Sequence, residues 1–89
     1  MREKDKELIY DFVFCGDTYG GIKKLRIENY KLISNDVVVA VRTPVGIILN
    51  NTKHDDIITE SQIYLRKTKR VVQEVTEDEM LDIVNSYYW

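Results

Sequence analysis

Val37-Val38-Val39-Ala40-Val41-Arg42-Thr43-Pro44-Val45-Gly46-Ile47-Ile48-Leu49 is the stretch on which the reading of the fold turns. Its first run is apolar on both faces, as a central strand covered on both sides must be. Arg42-Thr43-Pro44 separates it from a second β-branched run, and two such runs across a short turn predict a hairpin. Pro44 suits the turn because it lacks the N–H that a central ladder requires. Strands are expected at about residues 37–42 and 45–50, with Val39, Val41, Ile47 and Leu49 in the core.

Working outward, Leu25 and Ile27 alternate with Lys24, Arg26 and Glu28. The extended run continues through Tyr30 and Leu32 to a stop at Ser34-Asn35-Asp36. On the other side, Asn50 to Asp56 reads as a polar loop. Ile63 and Leu65 alternate with Tyr64 and Arg66, Lys67-Thr68-Lys69 turns, and Val71 to Val75 returns as a second hairpin. Thr76-Glu77-Asp78-Glu79 is a capping box. It opens a helix over residues 77 to about 87 whose apolar stripe is Met80, Leu81, Val84, Tyr87 and Tyr88. Residues 2–14 read two ways. Leu8, Ile9, Phe12 and Val13 have helical spacing, whereas Leu8, Tyr10, Phe12 and Phe14 alternate as a strand; the helix is preferred.

The expected class is α+β, in one domain over residues 1–89. It has a small, strongly bent antiparallel sheet of four to five strands, with an SH3-like barrel as one form, a C-terminal helix and an N-terminal helix. Composition agrees. Val and Ile supply ten residues each against a single Ala, and β-branched side chains pack better on pleated sheets than in helices. Among 89 residues, 44 % are apolar and 31 % charged, a globular balance. A chain this short buries only about 60–65 % of its unfolded surface, which leaves little for a deep enclosed pocket.

A net charge of −2 provides no general attraction to nucleic acid or anionic membranes. The lone Cys15 precludes an internal disulfide, and with no signal-peptide pattern the expected location is the cytoplasm. No run approaches the roughly 20 apolar residues that span a bilayer. The Asn50-Asn51-Thr52 sequon is then a chance match. One Ala beside many Ile, Lys, Asn and Tyr is the bias of AT-rich coding, frequent in phage and mobile-element proteins.

Candidate chemistry is sparse, and neither a catalytic site, a metal site nor a cofactor is expected. His54 with Asp55 and Asp56 reads as a solvated loop, because adjacent loop residues rarely converge on one ion. Cys15 closes an apolar run and is expected to pack as a small hydrophobe. Gly16 to Gly21 lacks the Lys-Ser/Thr of a phosphate loop and reads as a connection. Two surfaces remain. Tyr87-Tyr88-Trp89 cannot all face inward on one helix, and exposed Tyr and Trp typify protein interfaces. Arg66, Lys67, Lys69 and Arg70 crowd an expected hairpin tip, where a basic ribbon grips phosphate backbones; Lys23, Lys24 and Arg26 would join it if the first strand lay nearby. The leading expectation is therefore a non-enzymatic protein that binds another protein as accessory, adaptor or inhibitor. The alternative is a nucleic-acid-binding module, and a third reading is an enzyme or small-ligand binder whose site is assembled across the interface of a homo-oligomer.

Overall fold

The structure is a computed structural model that describes the backbone of residues 2–16, 18–22, 24–54 and 56–88, and their side chains except those of Asp56, Tyr87 and Tyr88. Helix α1 (Glu3–Tyr10) runs on into a wider π-helical turn (Asp11–Cys15) that stops at Gly16. Five strands follow: β1 (Tyr19–Ile22), β2 (Leu25–Glu28), β3 (Lys31–Ser34), β4 (Val37–Thr43) and β5 (Gly46–Asn50). Helix α2 (Asp56–Lys67), strand β6 (Val71–Val75) and helix α3 (Glu77–Ile83) complete the chain, and α3 extends as a second π-helical turn (Val84–Tyr88).

The sheet is open and mixed, in the order β1-β2-β3-β4-β5-β6. β1 to β5 form an antiparallel meander, and β6 pairs with β5 in parallel after the crossover through α2. Tight turns make the meander. Asn29-Tyr30 and Asn35-Asp36 all have positive φ, between 47° and 72°. That is the two-residue turn whose twist matches the right-handed twist of flanking strands.

The hairpin around Pro44 is present, and Val39, Val41, Ile47 and Leu49 are all buried. The α+β class also stands, but several expectations change. The sheet has six strands, is not purely antiparallel and does not close into a barrel. The extended run over residues 25–34 breaks at Asn29-Tyr30 into β2 and β3. Tyr19, Gly20 and Gly21 belong to edge strand β1 and not to a loop. Most consequentially, the second hairpin is absent, because residues 56–67 are helical.

Helix α2 buries Ile58, Ser61, Gln62 and Leu65, a helical face with two polar members. Ser61 Oγ donates to Ile57 O at 2.7 Å, and Gln62 Nε2 donates to the carbonyls of Asn50 at 2.8 Å and Thr52 at 2.9 Å. Buried polar groups persist when they are paired in this way.

Two apolar clusters lie on the two faces of the sheet. Ile9 and Phe12 from the α1 region and Ile58 and Leu65 from α2 pack with Leu25, Ile27, Leu32, Val39, Ala40, Ile47 and Leu49. Met80 and Val84 pack with Val41 and Val75, beside Val38 and Ile48. Val39 and Val41 thus serve opposite faces, although alternation would place them together. The β3–β4 register explains this: Leu32 faces Ala40 but Ile33 faces Val38, so Val39 is the extra residue of a β-bulge. The capping box is formed as expected, with Glu79 N–H donating to Thr76 Oγ1 at 3.3 Å and Thr76 N–H to Glu79 Oε1 at 3.1 Å.

Candidate functional site

The end of the sheet where the β4–β5 turn meets the α2–β6 turn carries the most distinctive surface among the described residues. Gly46 lets these turns touch. At φ 148° it occupies a conformation that L-residues avoid, and an added Cβ would lie 2.5 Å from Val72 Cγ1 and 2.8 Å from Arg70 O. Ile47 N–H donates to that Arg70 carbonyl at 2.9 Å, so backbone joins the two turns. A concavity of about 400 Å³ opens beside the junction, with Arg42, Lys69, Arg70, Val13, Val45 and Val72 among its lining residues.

Arg42 is held at three points. Its N–H donates to Tyr30 O at 2.8 Å, its Nη2 donates to Gly16 O at 3.1 Å, and its guanidinium carbon stands 5.0 Å from the Tyr30 ring centroid. Gly16 caps the α1 region in the left-handed conformation, its N–H donating to Asp11 O. Tyr30 also has positive φ, at 72°, which is strained for a bulky side chain. Arg42 Nε is buried without an acceptor among the described residues, a loss of about 1–3 kcal/mol for an unsatisfied donor.

Arg70 stands 5.2 Å from the Phe14 ring centroid, and Phe14 packs on Tyr10 with centroids 4.8 Å apart. Such cation–π contacts contribute about 0.5–1 kcal/mol at exposed sites. The rings remain accessible: Tyr10 is 51 % exposed, Phe14 41 % and Tyr30 42 %, while Val45 and Val72 reach 81 % and 57 %. Contacts link Tyr10, Phe14, Arg70, the concavity, Arg42 and Tyr30 into one continuous face.

The structure divides the basic cluster of residues 66–70. It lies on the last turn of α2 and the turn after it, not on a hairpin tip. Arg66 is bound by Glu74 through Nε at 3.3 Å and Nη2 at 2.9 Å. These hydrogen bonds hold the Glu74 carboxyl below the usual carboxylate range and raise the Arg66 guanidinium. Lys67 lines a separate concavity with Lys6, Glu60 and Tyr64. Lys69 and Arg70 alone of the four share a concavity with Arg42. Arg26 is bonded to Glu28 and Asp36 on another part of the sheet, Lys24 is exposed, and Lys23 lies outside the described residues.

Trp89 and the side chains of Tyr87 and Tyr88 also lie outside the described residues. Glu77 N–H donates to Thr52 Oγ1 at 2.9 Å, joining the start of α3 to the loop before α2, and His54 Nε2 lies 2.8 Å from Glu77 Oε1. Asp55 and the Asp56 side chain are outside the described residues, and no group of three metal-ligating side chains occurs among those described. Cys15 is exposed, not packed in the core, because the π-helical turn points Phe12 inward instead. No described helix is long and apolar enough to cross a membrane.

Tyr10, Phe14, Tyr30 and Arg42 did not stand out in the sequence. Arg42 offered one signal, as a cation closing an otherwise apolar central strand. Compared with family models, curated proteins and solved structures, the chain matches none.

Proposed function

We propose that this chain is a non-enzymatic binding protein that acts on another protein through the face of Tyr10, Phe14, Tyr30, Arg42 and Arg70. One observation carries the reading: exposed rings with guanidinium groups fixed over them adjoin exposed Val45 and Val72. Tyr, Phe and Arg concentrate at the centres of protein interfaces. Side chains already ordered before binding lose less entropy when a partner docks. Gripping a nucleic-acid backbone draws less support, because Arg66 is engaged by Glu74 and Lys67 lies apart from Lys69 and Arg70.

The test is affinity capture from source cells, with and without nuclease, using the wild type and Phe14→Ala. A partner that survives nuclease and binds the variant at least about tenfold more weakly is the expected result. Capture that nuclease abolishes, or that Phe14→Ala leaves unchanged, overturns the reading.

A further inference from the structure

We infer that the concavity between the β4–β5 and α2–β6 turns is a subsite for a phosphate monoester, presented by a phosphorylated side chain of the partner. This rests on the protein-binding reading above and names the chemistry of its centre.

Three cations, Arg42, Lys69 and Arg70, line one concavity of about 400 Å³. Among the described residues no Asp or Glu lines it, and no carboxylate is in ion-pair contact with any of the three. The other described arginines all have such partners: Arg2 with Asp5, Arg26 with Glu28 and Asp36, and Arg66 with Glu74. Like charges held together without a counter-charge repel one another, and an anion between them relieves that repulsion.

The two guanidinium groups are also positioned in advance, and the backbone that carries Lys69 is held in a tight turn. Tyr30 and Gly16 fix Arg42, while of its guanidinium nitrogens only Nη2 is committed to a hydrogen bond with a described residue. Phe14 carries Arg70. Lys69 sits at φ 59° in a turn closed by its own N–H donating to Arg66 O at 3.2 Å and by Arg70 N–H donating to Thr68 Oγ1 at 3.3 Å.

The charge count selects the anion. A carboxylate or a phosphodiester carries one negative charge. A phosphate monoester carries about 1.5–2 at neutral pH, with three acceptor oxygens for three cationic side chains. Val13, Val45 and Val72 bound the concavity with apolar surface, which suits a single inserted group better than a strand of successive phosphates.

The probe is phenyl phosphate, titrated into the full chain and followed by amide NMR shifts and calorimetry. Dimethyl phosphate, sodium acetate and a single-stranded oligonucleotide serve as comparisons. Saturable shifts at residues 42–47 and 69–72 are expected with phenyl phosphate, and binding at least about tenfold weaker with dimethyl phosphate and acetate. Lys69→Gly keeps a residue that favours positive φ while removing the charge. That variant and Arg70→Gln should each weaken phenyl phosphate about tenfold.

Equal response to all the small anions overturns the inference, as does the absence of saturable shifts. Tighter binding of the oligonucleotide through the same residues overturns it in favour of a nucleic-acid backbone. Loss of phosphate binding with protein capture still dependent on Phe14 sinks the subsite and leaves the protein-binding reading intact. Phosphate binding that meets every expectation, beside capture that nuclease abolishes, does the reverse for the site's chemistry and overturns the protein partner.

Discussion

Replacing Gly46 with alanine probes the junction that assembles the candidate face. The new Cβ would stand 2.5 Å from Val72 Cγ1 and 2.8 Å from the Arg70 carbonyl oxygen. Carbon atoms pack at about 3.5–4.0 Å, so the turns must separate. A φ of 148° adds backbone strain, worth about 1–3 kcal/mol, to an overlap that costs about as much again. The sum is about 2–6 kcal/mol. At about 4–8 °C per kcal/mol for a domain of this size, the thermal midpoint should fall by at least about 8 °C. Val72→Ala alone should cost under about 1 kcal/mol, because Val72 is 57 % exposed. In the double variant the Val72 overlap is gone while the Arg70 contact and the strain remain. The two changes should therefore couple by about 1 kcal/mol in the restoring direction. Urea denaturation of all four proteins measures this. A Gly46→Ala protein within about 0.5 kcal/mol of wild type, or losses that simply add, would refute the reasoning.

Thr76→Ala removes the formed helix cap and should lower stability by about 0.5–2 kcal/mol in the same assay. Ile47→Ala, at a site 1 % exposed, should cost about 2–5 kcal/mol; a smaller loss would mean that the helix-covered face repacks. Gln62→Leu strips the carbonyls of Asn50 and Thr52 of their donor and should cost about 1–3 kcal/mol despite adding apolar volume. The Arg66–Glu74 pair should contribute under about 1 kcal/mol, since both side chains are substantially exposed. Glu74 has its carboxyl depressed in the folded state, so this contribution is present above the ordinary carboxylate range and is lost as pH falls below it through the depressed folded-state value. Wild type and Glu74→Gln should therefore differ most at neutral pH and converge in acid; a gap that widens on acidification would contradict the sign.

What the sequence revealed and what it hid divide along physical lines. The Pro44 hairpin was legible because two fully apolar runs flank a residue that cannot sit in a ladder. The Thr76 cap was legible because it is a local contact between residues three apart. Helix α2 was hidden because Ser61 and Gln62 occupy inward positions that an apolar period would fill. With them counted, the buried set 58, 61, 62, 65 has helical spacing; without them, Ile63 and Leu65 imitate a strand. The Val39 bulge leaves no mark in an unbroken apolar run, Val37 to Val41. Arg42 shares a concavity with Lys69 and Arg70 only because β5 and β6 lie in parallel, which no local pattern announces. Tyr30 beneath Arg42 was equally unreadable, since nothing in a tyrosine forecasts positive φ.

That parallel pairing has a kinetic consequence. Each strand from β1 to β4 pairs antiparallel with the strand that follows it, so the meander closes over tight turns, and hairpins of this kind form within about 1–10 μs. β6 pairs with β5 only after α2 has crossed the sheet, as the partnership of Ile47 with Val71 records. Loop-closure entropy opposes that step more than any turn of the meander. Arg42 and Tyr30 belong to the early unit, whereas Lys69 and Arg70 arrive with the late one. The concavity would then exist only in molecules whose β6 is docked, and an anion held there would slow hydrogen exchange in β6 more than in β2 and β3.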